Sequence, residues 1–315
     1  MRRYIFICIL IVLSMILCPV AAIGNGSLQP VIAEEQVIEV IAVSDEGEYI
    51  TVMSSSSGEA SKIEMREYLI GCVAAEMPAN YHPEALKAQA AASYTYAKYT
   101  MQTGSGEVDI TDDTGKHQGY INKEQRKSLW GSAFDENESK ISAAVDAVYG
   151  NVIVFNGETA LTVYHSVSAG ATQSAEELWG SEISYLQCVA SPGDKLSPDY
   201  VQSVSFTESE IADLLEIDSD ENGVGETEYT EGGYVSSIEI CGQELSGMQV
   251  RDKLSLRSNC FDVEYKDGEY IFEVRGHGHG VGMSQYGADY MARQGSTWQE
   301  IIGHYYPGTV ISETA

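Results

Sequence analysis
Basic side chains are scarce in this sequence: 18 Lys and Arg stand against 47 Asp and Glu, a formal charge of −29 at pH 7. No Lys/Arg cluster is available to displace the counterions of a phosphate backbone, which excludes an electrostatic nucleic-acid binder. Cysteine is sparse too. Beyond the N-terminal run only Cys72, Cys188, Cys241 and Cys260 remain, and none of them forms the CxxC spacing that builds a zinc site. One disulfide, Cys241 to Cys260, stays open. No GxSxG elbow is present to hold a nucleophilic serine, and no internal repeat marks a solenoid. Phenylalanine is rare, 6 residues against 20 tyrosines, a bias toward rings that offer a sugar both an apolar face and a hydroxyl.

Long uncharged runs are confined to the N-terminus. Arg2 and Arg3 precede Tyr4 to Ile23, about 20 residues without a charge and long enough to span a bilayer. A single-pass anchor over residues 1–23 is expected, with the remainder exported. Ala21 and Ala22 leave cleavage as a signal peptide open. Leu17 is too large for the position before a lipid-carrying Cys18. Residues 24–60 read as a stalk and first strands, with the runs VIEVIAV and EYITVM, and residues 61–315 as the main domain, ample for a full-sized core.

The pattern along that domain predicts an α+β fold. Apolar residues at Met65, Leu69, Cys72 and Val73 give a helix from Lys62 to Glu76. HPEALKAQAAASYTYAKYTM gives a second, with Pro83 in its first turn and many alanines for close packing. Residues 104–120 read as a loop or lid, and SKISAAVDAVYG as a third helix ended by Gly150. NVIVFNGETALTVYHSVSAG gives two strands turning at Asn156-Gly157. Segments 201–206, 234–240 and 261–275 alternate, SGMQVRDKL is helical, and the acidic run DSDENGVGETEYTEGG is a solvated loop. Helices packed with curved antiparallel sheets around a groove are the expected architecture.

Glu76 is the anomaly in this pattern. It occupies the apolar stripe, at a helix C-terminus whose dipole disfavours an anion, just before Pro78. Burial and dipole both push its pKa upward, as a general acid for glycosidic cleavage requires. The plainer alternative is a glutamate that caps a backbone amide or pairs with Lys87 or Arg66. In RGHGHGVGMSQYGADYMARQG, His277 and His279 are two apart after an alternating strand, so both rings should project from one face. Ser284 is the expected N-cap of a helix ending at Gly295, with Gln285 on its first turn. In YHSVSAGATQ, alternation places Ser166 and Ser168 on one face and His165 on the other.

The motifs EYLIGCVAAEMP, HPEALKAQAAASYTYA, YHSVSAGATQSAEELWG, GHGHGVGMSQYGA and HYYPGT occur in that order over residues 60–313. Together they resemble the stage II sporulation protein D and amidase-enhancer domain family. The resemblance implies a lytic transglycosylase that cuts the β-1,4 bond between N-acetylmuramic acid and N-acetylglucosamine in peptide-free peptidoglycan, leaving a 1,6-anhydro end, with Glu76 as catalytic acid. Gln89, Tyr94, Gln118, Tyr120, Tyr164, Ser166, Ser168, Gln173, His277, His279 and Gln285 are the residues expected to position the glycan strand. The resemblance further implies a partner amidase and other engulfment proteins, a place in the cell membrane on the mother-cell side of the sporulation septum, and no cofactor. A non-catalytic enhancer of a cell-wall amidase is the alternative. Two departures stand out. Many relatives carry arginine where Tyr94 stands, so a contact made by that cation is absent or replaced here; some hold zinc with a His-Cys pair where this chain reads Lys116-His117-Gln118-Gly119-Tyr120, which leaves His117 as the one nearby ligand and zinc binding open, and no metal ligand is assigned.

Overall fold
The computed structural model describes residues 47–104, 106–218 and 221–314. The expected anchor over 1–23 and the VIEVIAV part of the stalk lie outside the described residues. The folded unit runs from Gly47 onward, so it takes in β1 (Tyr49–Met53), a strand that the sequence reading groups with the stalk. β1 pairs antiparallel with β2 (Ala60–Glu64). Residues 62–64, expected as helix, are the end of that strand. Glu64 is where the chain turns: its carboxylate accepts the Arg66 and Glu67 amides at 2.9 Å each and opens α1 (Met65–Glu76). The stripe Met65, Leu69, Cys72 and Val73 is fully buried.

His82 caps α2 (Pro83–Thr103), its Nδ1 accepting the Glu84 amide at 3.3 Å, with Pro83 at the first position. β3 (Ile110–Thr111) then joins β1 in parallel. The next helices are α3 (Lys123–Trp130), which the sequence reading missed, and α4 (Phe134–Val148), which begins ahead of the expected Ser139. Arg126 on α3 is fully buried. It donates to Glu67 at 2.7 Å, Glu138 at 2.8 Å and the Ile121 carbonyl at 3.0 Å. Those bonds lock the segment before α3 onto α1.

β4 (Asn151–Phe155) and β5 (Glu158–Thr159) form the expected hairpin, with Asn156 at φ 53° and Gly157 at φ 87°. β6 (Tyr164–His165) is short, and α5 (Ala175–Trp179) follows. Residues 201–275 build a second core. β7 (Val201–Thr207), α6 (Glu208–Leu215), β8 (Val224–Tyr229), β9 (Val235–Ile240), β10 (Gln243–Ser246), α7 (Gly247–Leu254), β11 (Phe261–Lys266) and β12 (Glu269–Arg275) enclose Ile211, Val250, Phe261, Tyr270 and Phe272. Its two sheets, in the orders β11-β12-β7 and β10-β9-β8, are antiparallel throughout. The acidic stretch expected as a loop contributes β8 instead, at the edge of its sheet with charged residues outward, a placement that discourages pairing with another chain. Cys241 and Cys260 are both free: Cys241 Sγ lies 2.9 Å from Tyr270 Oη and Cys260 Sγ donates to the Gly233 carbonyl at 3.0 Å.

β13 (Met283–Ser284) runs parallel to β6 and leads into α8 (Gln285–Arg293), then α9 (Trp298–Tyr305) and β14 (Val310–Glu313), which pairs with β4. α2 is the hub of the main core. Its alanines 85, 88, 90, 91, 92 and 97 are fully buried, so α1, α4, α8 and α9 all pack against it. Among the described residues the result is an α+β arrangement of helices and five small sheets. Among the described residues no helix is long and apolar enough to cross a membrane.

Candidate active site
Glu76 closes α1 and is half-buried where that helix meets the segment 118–121 and the start of α8. Its Oε1 accepts the Gly119 amide at 2.6 Å, and its Oε2 accepts from Gln285 Nε2 at 3.2 Å. Neither Lys87 nor Arg66 pairs with it, since they hold Glu84 and Asp146. Burial pushes the carboxyl above its ordinary pKa, outweighing the downward pull of the two hydrogen bonds. Two glycines allow the close fit. A Cβ on Gly119 would stand 3.0 Å from Glu76 Oε1, and one on Gly71 would stand 2.4 Å from the Tyr120 ring.

Behind the carboxyl runs a buried chain of polar side chains. Gln285 Nε2 also reaches Gln89 Oε1 at 3.4 Å, and Gln89 Nε2 donates to Ser93 Oγ at 3.1 Å. Ser93 Oγ donates to Tyr164 Oη at 3.4 Å, and Tyr164 Oη donates to Gln118 Oε1 at 2.8 Å. Gln118 Nε2 then donates to Tyr68 Oη at 2.9 Å and to the Ser93 carbonyl at 3.2 Å. Of the residues singled out in the sequence, Gln89, Gln118, Tyr164 and Gln285 thus join Glu76 in one network. A buried network with its partners filled holds each member in a single orientation.

Two cavities adjoin the carboxyl. One, about 570 Å³, is lined by Tyr81, Trp130, Ser166, Arg257, His277 and Gln285 among others. The second, about 710 Å³, is lined by His117, Gln118, Tyr164, Trp179, Arg251 and His279 among others. Glu76 is the one residue that lines both.

The remaining sequence candidates lie elsewhere. Tyr94 is buried in the core, donates from Oη to Glu48 Oε2 at 2.9 Å and stacks on Tyr149 at 5.4 Å. Tyr120 stacks on Tyr68, also at 5.4 Å, and lines neither cavity. Gln173 supports the histidine segment from behind, its Nε2 donating to the His279 carbonyl at 2.6 Å. Ser168 does not share an outlook with Ser166. The strand ends at His165 and bends at Ser166 before Val167 pairs with His277, and Ser168 is fully buried with its hydroxyl donating to Asp194.

The two histidines part as well. Gly276, Gly278, Gly280 and Gly282 all take positive φ, so the segment winds instead of extending. His277 is exposed in the first cavity, while the His279 ring faces the second and its Nδ1 accepts the Val281 amide at 3.1 Å. Burial lowers His279 to about 4 and His165 to about 3, so both rings are neutral at pH 7. His165 Nδ1 lies 3.1 Å from the Val281 carbonyl, and its Nε2 is buried without a partner.

Asp194 is a residue that the sequence reading missed. Fully buried, it accepts from the Ser168 hydroxyl and amide and, at 2.8 Å, from Ser284 Oγ. Ser284 also caps α8, accepting the Gly287 amide at 3.2 Å. One carboxyl therefore ties the YHS segment to the start of the helix that carries Gln285. In sequence Asp194 looks like a turn acid after Pro192-Gly193, and nothing there distinguishes it. Trp179, Arg251 and Arg257 were equally silent. Among the described residues no group of three or more His, Cys, Asp and Glu is placed to hold a metal ion. His117 Nδ1 accepts the Thr111 amide at 3.4 Å.

Residues 54–155 match the family model described as SpoIID, stage II sporulation protein. Over 270 residues, 84% of this chain, the sequence is 39% identical to stage II sporulation protein D of Bacillus amyloliquefaciens, covering 78% of that protein. It is 39% identical over the same length to stage II sporulation protein D of Bacillus subtilis strain 168, covering 79% of it. A more distant likeness, 25% over 303 residues, is to the amidase enhancer of Bacillus subtilis strain 168, of which 40% is covered. At that identity, sustained over most of both chains, the protein belongs to the stage II sporulation protein D family.

Proposed function
We propose that this protein is a peptidoglycan lytic transglycosylase. It cleaves the β-1,4 bond between N-acetylmuramic acid and N-acetylglucosamine in peptide-free strands and leaves a 1,6-anhydro end. The observation that carries this reading is a carboxyl of raised pKa at the junction of two cavities, where a saccharide chain can lie on both sides of it. Exposed Trp179 in the second cavity and Trp130 in the first supply ring faces for sugars.

The chemistry follows from the two carboxyl oxygens. Oε1 takes the shorter bond, from Gly119, and suits the carbonyl or anionic oxygen. Oε2 has the longer one, from Gln285, and carries the proton. That proton passes to the departing glycosidic oxygen as the bond to the anomeric carbon breaks. The carboxylate left behind takes the proton of the muramyl 6-hydroxyl as that oxygen closes on the anomeric carbon, which returns Glu76 to its acid form. One carboxyl serves as acid and then base, and no water is consumed.

The names of the relatives, a sporulation protein and an amidase enhancer, support work beside a cell-wall amidase and other engulfment proteins during endospore formation. The uncharged N-terminal run after Arg2 and Arg3 supports single-pass placement with the domain outside the cytoplasm.

The test is incubation of the full chain with peptide-free strands and mass spectrometry of the ends. Wild type should release anhydro-muramyl ends, and Glu76→Gln should release them roughly 100- to 10,000-fold more slowly. Equal binding with no cleavage by either would instead support the glycan-binding enhancer that the more distant relative favours. Reducing ends abolished by a chelator would point to a metal-dependent hydrolase.

A further inference from the structure
Six arginines lie among the described residues. Four close a tight ion pair: Arg66 with Asp146 at 2.6 Å, Arg126 with Glu67 at 2.7 Å, Arg275 with Asp262 at 2.6 Å and Arg293 with Asp289 at 2.6 Å. Arg251 and Arg257 do not. Arg251 comes no nearer to an acid than 4.0 Å, to an Asp252 carboxylate that is 68% exposed, and its Nε is buried without a partner. Arg257 has no carboxylate within ion-pair distance among the described residues. In a chain with 47 acidic side chains this is a pointed omission.

The same two arginines are the ones that line the cavities beside Glu76, Arg257 in the first and Arg251 in the second. Both come from the segment 201–275 that builds the second core, Arg251 on α7 and Arg257 just beyond it. Their charge reaches the neighbouring rings: after burial, it is the guanidinium groups that lower His277 and His279 further. Asp199 lines the first cavity too and opposes this at His277, by less than either guanidinium contributes. A guanidinium is a planar fork of donors that matches a carboxylate with two parallel bonds.

We propose that Arg251 and Arg257 are specificity-determining residues, each taking a free carboxylate of the saccharide on its own side of Glu76. The proposal rests on the glycan reading above. In a peptidoglycan strand every second sugar carries a lactyl group, whose carboxyl is ionised once the stem peptide has been removed and is a neutral amide while the peptide remains. A cation on each side of the acid fits a strand with repeating negative charges.

Binding is measured on the full chain carrying Glu76→Gln, which removes turnover, with three probes: peptide-free strands, the same strands with lactyl carboxyls converted to carboxamides, and neutral chitin oligosaccharides. The parent should bind the carboxylate strands roughly tenfold or more tightly than the carboxamide strands, with a preference that shrinks as salt rises. Arg251→Gln with Arg257→Gln should bring the ratio near one and leave chitin binding unchanged. If the double variant loses chitin too, the single variants are read by the same criterion. A ratio near one in the parent, or a full ratio kept by the variants, overturns this proposal alone. Failure of the parent to bind any of the three overturns the glycan reading and this proposal with it.

Discussion
Single titrating groups make the sharpest claims. In the proposed mechanism Glu76 acts as the acid, so activity should be full below its raised pKa and fall as pH rises through it, an alkaline limb that a pH–rate profile would locate. The same shift has a sign in stability. The folded state resists ionising Glu76 more than the unfolded state does, so stability is lost as pH rises from about 4.3, the ordinary glutamate value. Glu76→Gln should therefore be more stable than wild type at pH 7, with the gap closing near pH 4. A gap that ignores pH would remove the raised pKa. His165 at about 3 and His279 at about 4 act in the other direction. From about 6.5 downward the unfolded chain takes up protons that these rings refuse, costing up to about 1.4 kcal/mol per pH unit for each. His165→Gln should flatten the acid side of a stability–pH curve. A curve of unchanged slope would mean that His165 titrates normally.

At the scale of elements, the approach of the 118–121 segment to α1 depends on Gly71, where a methyl group would fall 2.4 Å from the Tyr120 ring and 2.5 Å from the Ile121 carbonyl. Gly71→Ala should cost about 1–3 kcal/mol in denaturant unfolding and weaken the Gly119 bond to Glu76, so the alkaline limb should move upward as well. Wild-type stability and an unmoved limb would show that the segment is placed by other contacts. The sequence made most elements legible: α1, α2, α7, α8 and the Asn156-Gly157 hairpin each carry a periodicity, cap or turn that physics ties to one local structure. It misled where tertiary partners decide. Ser168 alternates like a strand residue but answers to Asp194, more than 20 positions away, and β8 looks like a solvated acidic loop until β9 offers it an edge.

For the molecule as a whole, the legible part of the candidate site was the part that breaks a pattern. Glu76 interrupts an apolar stripe, and Gln285 follows a serine that begins a helix. Arg251 and Arg257 interrupt nothing, because a cation after an ordinary helix carries no local sign that its acid partner is missing. That shortage is visible only once the second core is set against the cavities. On the proposed function, the position of Glu76, with a cavity on either hand, also bears on what a sacculus would lose first. An acid that is not confined to termini cuts polymers in their interior. Size-exclusion chromatography of a digest should show long strands collapsing to middle lengths well before disaccharides accumulate, whereas an early disaccharide peak would mark attack from the ends. Mesh would slacken while nearly all of its mass stayed in place.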